Sequence, residues 1–441
     1  MKPAPCRRNN TDSMATVAAA RQALILLLKK GTTDLHLHTV CSDGSDTPEQ
    51  LINRVIAAGL QCFAITDHDN LGAIESARAY LHSLRISDPS KILPDFIAGV
   101  ELSVDLHGQE LHLLAYFPLG GEQLLTTLLD EQLANRKKRN QQMIERLREL
   151  GYAIDEQAFK DAGQGATGRL QAALLLIQQG YFTSIQQAFS ELLAEGKPGY
   201  IPRPRPAITT ALERIHQAGG VAVLAHPALY GWCSGQSIVS RTLIENLTHL
   251  RQAGLDGVEA YHGEATPQEQ QEVAAAGKVL GLMLTAGSDD HGANKDKVLL
   301  YDNKKTWPDR QELMVVGALL QQKQQGKTCY FLCRRSDPGK QAGFWELPGG
   351  KVQPPESLQE ALRRELQEEL AVEAHVGALE TVVWHDYPDA RVILAVLQAD
   401  FPLDKLTLQV HDHCVMVTAV QALDLPLLPA DIVLFESLRD V

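Results

Sequence analysis

The sequence lacks the features of secreted, membrane-spanning and strongly nucleic-acid-binding proteins. Its seven cysteines are scattered, and no two form a Cys-x-x-Cys pair, so a reducing cytoplasm is expected rather than a disulfide framework. No run approaches the roughly 18 apolar residues that span a bilayer. The formal charge of −13 disfavours a large surface that binds nucleic acid through net charge. We therefore predict a cytoplasmic protein without a membrane partner.

The length and the order of apolar segments predict two domains. A chain of 441 residues with 44% hydrophobic residues can bury a core in each of two domains. Residues 1–31 are interpreted as an N-terminal extension that contributes one extra helix. Over 32–302 short apolar strands alternate with helical stretches, which is the pattern of an α/β domain with parallel strands. Residues 303–311 are polar and are interpreted as a linker to a second, β-rich domain over 312–441.

Residues of the kind that bind metals stand at the ends of the predicted strands of the first domain. In Asp34-Leu35-His36-Leu37-His38 the alternation is that of a strand, and it places both imidazoles on one face. The strand ends of a barrel-like α/β fold meet at one mouth. Imidazoles with several carboxylates suit Zn, Mn or Fe, and two or three such metals can activate a water and clamp a phosphoester.

These strand ends resemble the motifs of the PHP (polymerase and histidinol phosphatase) metallophosphoesterases. The motifs are Asp34-Leu-His-Leu-His38, Ile65-Thr-Asp-His68, Gly99-Val-Glu101, Ala225-His226-Pro227 and Gly287-Ser-Asp-Asp-His291. The resemblance implies a distorted (β/α)7 barrel over 32–302 with a helical insertion over about 130–205. It also implies two or three Mn²⁺ or other divalent transition metals. The implied metal ligands are His36, His38, Asp43, His68, Glu101, His112, His226, Asp289 and His291.

Within this family the chain looks closest to the nucleoside 3′,5′-bisphosphate phosphatases, whose bacterial relatives also trim RNA from the 5′ end. The basic turn at 136–139 in the insertion either attracts phosphate or is a solvated helix face. Arg169 is followed by Leu-Gln where the branch has Pro-His, Ala265 replaces a histidine, and Asp290 replaces an aromatic residue. Arg169 remains the implied phosphate contact. The sequence therefore predicts activity on a phosphoester rather than on that particular bisphosphate.

A helix in the second domain carries three acidic residues on one face. Glu365, Glu368 and Glu369 lie at i, i+3 and i+4, so their carboxylates are neighbours on a helix. Such hard oxygen ligands suit Mg²⁺ bridging a diphosphate. A solvated acidic face is the alternative for these glutamates in isolation. The tight turn Pro348-Gly349-Gly350 precedes this helix.

The spacing from Gly350 through Glu356 to Arg364-Glu-Leu-x-Glu-Glu369 resembles the Nudix box. The match over 312–441 is most similar to the MutT-type hydrolases of oxidised purine nucleoside triphosphates, and it implies a Nudix α/β/α sandwich. The resemblance implies that Mg²⁺ binds Glu365, Glu368, Glu369 and the Gly349 carbonyl, while Arg364 orients Glu356. The implied substrate contacts are Arg335, Lys351, Tyr387, Asp389 and Asp431, with Asp412 in the place of a catalytic glutamate.

Two local expectations accompany this resemblance. Residues 321–327 are predicted to be the loop of a hairpin that joins strands over 313–320 and 328–333. Ala371 stands where the Nudix box has a glycine, so a loosened helix end is expected there.

Together these patterns predict a bifunctional hydrolase of nucleotide-like phosphates. The first domain would hydrolyse a nucleoside bisphosphate or RNA phosphoester. The second would hydrolyse a triphosphate such as 8-oxo-dGTP to the monophosphate and pyrophosphate. Two alternatives stay open: a weakly active Nudix module that senses nucleotides and regulates the phosphoesterase, and an RNA-processing exonuclease. Small nucleotides and short RNA are the expected partners, and no stable protein partner is predicted.

Overall fold

The computed structural model describes residues 10–161, 168–295, 311–336 and 341–439. The chain divides into two compact units. The first comprises residues 1–230, 250–265 and 282–306, and the second comprises 231–249, 266–281 and 307–441. Most of the predicted linker, 303–310, lies outside the described residues, and Gln311 already begins a strand.

The first domain alternates strands with helices as the sequence predicts. Its strands are β1 (Thr33–Asp34), β2 (Cys62–Ile65), β3 (Asp95–Leu106), β4 (Gln109–Phe117), β5 (Val221–Leu224), β6 (Gly257–His262) and β7 (Met283–Gly287). Its helices are α1 (Asn10–Leu28), α2 (Pro48–Ala57), α3 (Gly72–Ser87), α4 (Thr126–Glu149), α5 (Glu156–Asp161), α6 (Arg169–Gln178), α7 (Ile185–Ala188), α8 (Ile208–Gln217), α9 (Arg241–Gln252) and α10 (Pro267–Val279). By contacts, α10 and most of α9 are grouped with the second compact unit. The extra helix expected in the N-terminal extension is α1.

The seven strands form one sheet in the order β1 to β7, and its two edges approach each other. The segment after β1 continues alongside the end of β7, because the Leu35 amide donates to the Ala286 carbonyl and the Asp289 amide donates to the His36 carbonyl. Leu35 and Leu37 are buried on the face opposite the two histidines. The sheet is therefore a nearly closed barrel.

The prediction of a wholly parallel domain is wrong at one strand. β4 is antiparallel to both β3 and β5, while the other neighbours in the sheet are parallel. The two residues between β3 and β4 are His107 and Gly108, both with positive φ, which makes the tight return of a hairpin possible. The beginning of β4 therefore lies at the edge where its neighbours end.

The helical insertion has a core of its own. Helices α4 to α7 bury a cluster that includes Met143, Leu147, Phe159, Leu176 and Phe182. α4 is amphipathic at helical spacing, with Met143, Ile144 and Leu147 on its buried face. The insertion therefore begins at α4 and presents a rigid wall that can carry functional side chains.

The second domain contains two four-stranded sheets. Its strands are β8 (Gln311–Leu319), β9 (Gln321–Gln324), β10 (Lys327–Arg335), β11 (Trp345–Glu346), β12 (Gly349–Lys351), β13 (His375–Asp386), β14 (Ala390–Asp400) and β15 (His411–Val417). One sheet has the order β12-β8-β14-β13, and the other joins β11, β10 and β15 with β9 added to β10. Its helices are α11 (Leu358–Leu370), α12 (Ala419–Leu423) and α13 (Pro429–Ser437). A core that includes Leu332, Leu347, Val396, Leu434 and Phe435 is buried here.

The predicted hairpin loop at 321–327 is wrong. Residues 321–324 form β9, which pairs with β10, and the turn consists of Gln325 and Gly326, both with positive φ. This is the two-residue turn that matches the twist of paired strands. β8 pairs with β12 and β14 instead. A run of polar residues on an exposed strand resembles a loop in sequence, which explains the error.

Both domains therefore have the predicted mixed α/β architecture. A search of the described residues for a helix that is long and apolar enough to cross a membrane finds none.

Candidate active sites

The two histidines of the His-x-His pair share one face, as predicted. The ring centres of His36 and His38 lie 5.1 Å apart, and both side chains are fully buried. Each Nε2 atom approaches the same two carboxylates: His36 lies 3.2 Å from Glu101 and 3.3 Å from Asp289, and His38 lies 3.3 and 3.1 Å from them. These four side chains form one cluster of potential metal ligands.

Glu101 lies at the centre of the site. Its Oε2 atom is 3.0 Å from His68 Nδ1, and its Oε1 atom is 2.8 Å from His112 Nδ1 and 3.2 Å from His226 Nε2. His112 arrives here because β4 is antiparallel, so that a residue near the beginning of this strand reaches the mouth. A further cluster joins His38, His68, His291 and Asp43.

The structure thus brings all nine predicted ligands of the barrel together. Within a close donor group, all the potential ligand atoms lie within 4.8 Å of one another. Three of these groups share residues: His38, His68 and Glu101 each belong to two of the three. Shared donors are what a site for two or three metals requires, because one carboxylate or two neighbouring donors can bridge adjacent ions.

The residues have donor atoms that suit a metal. Within the described part of the chain, His36 Nε2, His38 Nε2, His68 Nδ1 and Glu101 Oε2 are buried and have no partner in hydrogen-bond geometry. Buried polar atoms are otherwise almost always hydrogen-bonded, and an exception calls for an explanation such as a bound ion. Neutral imidazole and carboxylate donors fit Zn, Mn or Fe.

The charges of the cluster support the same conclusion. Burial opposes protonation of His38, yet the nearby carboxylates of Asp289 and Glu101 outweigh burial and raise its pKa to about 10. Burial likewise opposes ionisation of Glu101, but the surrounding histidines hold its pKa well below its usual range. The carboxylates therefore favour positive charge at this point, whether protons or metal ions supply it.

Local backbone geometry positions the ligands. His226 and Asp289 have φ values of 32° and 56°, which non-glycine residues adopt at a cost and mostly at functional sites. Gly287 lies directly behind them, and a Cβ atom there would lie 2.3 Å from His36 Cβ and 2.4 Å from Glu259 Oε1. Only glycine permits this close approach.

Sequence reasoning missed several residues that support the ligands. Glu259 accepts from His36 Nδ1 at 3.1 Å, which fixes the orientation of a metal-binding imidazole. His262 forms a close donor group with His36 and Glu259, and its Nε2 atom lies 3.5 Å from Asp289. Both residues belong to β6, so the strand-end signal that found the other ligands also applies to them.

Asp67 and Asp290 hold the ligand-bearing loops. Asp67 accepts hydrogen bonds from Thr39 and Ser42, which fixes the loop that carries Asp43. Asp290, the residue that replaces an aromatic, is buried and accepts from Arg54 at 2.6 Å. The position of the aromatic residue is therefore occupied here by one partner of an ion pair.

A pocket of about 160 Å³ adjoins the ligand cluster. Asp43, His68 and His112 line it on one side. Five arginines line it from the insertion and the segment that follows: Arg136, Arg139, Arg169, Arg203 and Arg205.

The basic turn at 136–139 is thus only partly solvated. Lys137 and Lys138 are exposed, whereas Arg136 and Arg139, at i and i+3 on one face of α4, point inwards. Burial, together with the nearby Arg136, Arg169 and Arg203, lowers the pKa of Arg139 to about 9. Guanidinium groups crowded in this way favour an anion between them. Arg169 also lies 5.6 Å above the Tyr200 ring.

In the second domain the glutamate helix is α11. It begins with a capping box between Ser357 and Glu360, and Leu362, Leu366 and Leu370 are fully buried. Glu369 accepts from the Gly349 amide at 3.0 Å. Burial is the main cause that raises the pKa of Glu369 to about 7. Arg364 donates to Glu356 and Glu365, which is the orienting role implied for it.

A cavity of about 970 Å³ lies beside α11. Glu365 and Glu369 line it, while Glu368 is 60% exposed and does not. The predicted contacts Arg335, Lys351, Tyr387, Asp389 and Asp431 all line this cavity, as does Gly349. Asp431 lies in the first turn of α13, where it accepts from the Leu347 amide at 3.0 Å.

The structure does not bring Asp412 to this site. Asp412 forms an ion pair with Arg334 at 2.8 Å and does not line the cavity. Neighbouring residues of a strand point to opposite faces, and it is His411 that is buried, 3.2 Å from Glu346. The structure therefore places Asp412 apart from this cavity, and its replacement of the catalytic glutamate stays a prediction. Glu346 and His411 were missed by sequence reasoning.

Comparison with known proteins assigns a family to each domain. The PHP domain model matches residues 34–200 and the NUDIX domain model matches 312–429. The 5′-3′ exoribonuclease Rnm of Escherichia coli strain K12 is 33% identical over 260 residues, which cover 58% of this chain and 84% of the relative. A 3′,5′-nucleoside bisphosphate phosphatase of Chromobacterium violaceum is 30% identical over 268 residues, covering 58% and 86%. The CTP pyrophosphohydrolase of E. coli K12 is 42% identical over 125 residues, covering 28% and 88%.

The two domains define a hydrolase that acts on phosphoester and diphosphate bonds. The chain belongs to the PHP phosphoesterase family in its first part and to the Nudix hydrolase family in its second. Both families are in general metal-dependent, and the barrel contains candidate donor groups for such ions.

Proposed function

We propose that the barrel hydrolyses a phosphoester of a nucleotide that carries a second phosphate, as in a nucleoside 3′,5′-bisphosphate or the end of an RNA chain. The observation that carries this proposal is the shared pocket, which three predicted metal ligands line on one side and five arginines on the other. The names of the two barrel relatives point to the same chemistry.

The chain's own residues have separable roles in this proposal. The nine ligand residues would hold two or three ions, with Mn²⁺ the expected metal, and ions bound there supply Lewis acidity and neutralise phosphate charge. Glu259 keeps His36 in a fixed orientation. The arginines bind the second phosphate and so orient the bond to be hydrolysed.

The test compares substrates that differ in one phosphate. With Mn²⁺, the full chain is expected to hydrolyse adenosine 3′,5′-bisphosphate with a kcat/KM at least about tenfold above that of adenosine 3′- or 5′-monophosphate, because one charge-assisted contact is worth about that much. The same comparison with 5′-phosphorylated RNA tests the exonuclease alternative. No hydrolysis of any of these with Mn²⁺, Zn²⁺ or Fe²⁺ would refute the proposal.

We further propose that the second domain hydrolyses a nucleoside triphosphate to the monophosphate and pyrophosphate, with Mg²⁺ held by Glu365, Glu368 and Glu369. The cavity beside α11 is large enough for a nucleotide and is lined by Arg335, Lys351 and Tyr387. A panel that includes CTP and 8-oxo-dGTP tests base preference. Release of phosphate instead of pyrophosphate would contradict the proposed cleavage.

One observation favours the sensing alternative for the second domain. Asp412, the expected catalytic acid, is paired with Arg334 outside the cavity. A sensor would turn over nucleoside triphosphates slowly, and a non-hydrolysable triphosphate analogue would change the rate of phosphoester hydrolysis. An unchanged rate at saturating analogue excludes this alternative. The cytoplasmic location stays a prediction from the scattered cysteines.

A further inference from the structure

Asp69 follows the ligand His68 and has no role in the metal cluster described above. Its side chain is 1% exposed, and its φ of 50° is left-handed, a conformation that is uncommon for residues other than glycine and that aspartate adopts more readily than most. The Asp69 amide donates to the Glu101 carbonyl at 2.9 Å, and Asp69 Oδ1 accepts from the Ser103 amide at 3.1 Å. The backbone therefore ties Asp69 to the centre of the ligand cluster.

The other carboxylate oxygen of Asp69 holds two arginines. Oδ2 accepts from Arg136 at 2.6 Å and from Arg203 at 3.0 Å. These arginines belong to α4 and to the segment after the insertion, and they lie 67 and 134 residues away in the chain. Both line the pocket of about 160 Å³ beside the metal-ligand residues, which we call the arginine pocket. The two guanidinium groups share this one buried oxygen. Without the negative charge of the carboxylate, they would repel each other.

We propose that Asp69 is a positioning residue that holds Arg136 and Arg203 side by side for the second phosphate of the substrate. This inference rests on the proposed phosphoesterase function and specifies how the barrel recognises its substrate. Asp69 spans the two parts of the site: its backbone is fixed to the metal-ligand residue Glu101, and its side chain sets the geometry of the anion pocket. A substrate with one phosphate does not need this arrangement, whereas a bisphosphate does.

Asp69→Asn tests the inference in the full chain. The amide keeps the shape but loses the charge, so the KM for adenosine 3′,5′-bisphosphate is expected to rise about tenfold or more, while kcat changes little. For the better of the two adenosine monophosphates, kcat and KM are each expected to change by less than about threefold. The variant loses only the binding of the second phosphate, which the monophosphate does not have, and such a loss raises KM without lowering kcat. Asp69→Glu, which keeps the carboxylate, is expected to restore part of the affinity.

Glu122→Gln is the matched control. Glu122 is also 2% exposed and pairs with an arginine, Arg78, at 2.7 Å, but neither lines the arginine pocket. This variant removes an ion pair between a buried carboxylate and an arginine whose side chain is 37% exposed, and it is expected to leave the preference for the bisphosphate unchanged. A double-mutant comparison adds a second readout: in an Arg136→Met, Arg203→Met background, Asp69→Asn is expected to have no further effect on that preference.

The outcomes are distinguishable. Equal losses with mono- and bisphosphate, or loss of bound metal from Asp69→Asn, would overturn the positioning role and show a structural one. If the wild-type chain hydrolyses neither substrate, the proposed function fails, and calorimetric binding of adenosine 3′,5′-bisphosphate against the monophosphate still decides the inference. Binding affinities that Asp69→Asn leaves unchanged would then overturn it.

Discussion

Ala371 ends the glutamate helix in a conformation that suits glycine. Its φ and ψ are 55° and 35°, which cost an L-residue about 1–2 kcal/mol, and its side chain is exposed. The Ala371 amide still donates to Gln367. The helix therefore ends as expected of a Nudix box, and the missing glycine appears as strain instead of a lost site.

Ala371→Gly is accordingly expected to stabilise the second domain. Relief of strain exceeds the extra entropy of glycine in the unfolded chain, so the free energy of unfolding should rise by about 0.5–1 kcal/mol. Urea denaturation measures the change. Gln367→Gly, at an exposed helical position of the same helix, is the control and should destabilise by about 1 kcal/mol. A neutral or destabilising Ala371→Gly would show that alanine is not strained there.

Asp431 gives the stability of the second domain a predictable pH dependence. Burial raises the pKa of Asp431 to about 7, against about 3.9 in an unfolded chain. Between these pH values the folded state binds more protons than the unfolded state. The free energy of unfolding that Asp431 contributes is therefore lost as the pH rises to 7. Asp431→Asn removes this loss, and it should be more stable than the wild type by on the order of 4 kcal/mol at pH 8 and by only about 1.5 kcal/mol at pH 5.

Thermal unfolding at the two pH values measures this difference. Asp389→Asn, an exposed residue of the same cavity wall, serves as the control and should change neither melting temperature. An Asp431→Asn variant that gains no stability between pH 5 and pH 8 would contradict the raised pKa.

At the level of elements, Arg364 links the Nudix turn to the glutamate helix. It donates to Glu356, to Glu365 and to the Lys351 carbonyl. Lysine carries the same charge but not the fork of donors. Arg364→Lys is therefore expected to weaken Mg²⁺ affinity about 10–100-fold, as loss of a partner that orients a metal ligand does.

The Mg²⁺ concentration that gives half-maximal triphosphate hydrolysis measures this effect. Arg363→Lys is the control, because Arg363 is the neighbouring, exposed residue on α11. If Arg364→Lys lowered the melting temperature and left the Mg²⁺ dependence unchanged, Arg364 would only stabilise the fold.

The elements also show what the sequence could and could not predict. Periodicity predicts that His36 and His38 share a face, and capping and leucine spacing predict α11, because these are local properties of the chain. The direction of β4 is not local: an apolar strand reads the same in either sense, and only pairing with β3 and β5 decides it. The same holds for the ion pair between Arg54 and Asp290, whose partners lie 236 residues apart. At Asp412, alternation shows that it and His411 face opposite ways, but not which of them faces the cavity.

For the whole molecule, two separate clusters predict two separable activities. Asp289 belongs to the barrel ligand groups, and Glu369 lines the cavity of the second domain. In the full chain, Asp289→Asn should reduce phosphoester hydrolysis and leave triphosphate hydrolysis unchanged, and Glu369→Gln should do the reverse. Removal of a residue that only orients a metal ligand typically lowers activity by about 10–100-fold. Each activity should therefore fall at least that much, because these two residues are ligands themselves in the proposal.

Both activities are measured on the same preparations, with bound metal and melting temperature as checks of integrity. The exposed Glu373→Gln is the control for the charge change in the second domain. If Glu369→Gln abolished both activities while the barrel kept its metal, the second domain would regulate the first. If Asp289→Asn abolished both without lowering the melting temperature, triphosphate hydrolysis would belong to the barrel. Reciprocal losses are the only result that two independent catalytic sites predict, because each substitution removes one negative charge from one cluster and leaves the other cluster intact.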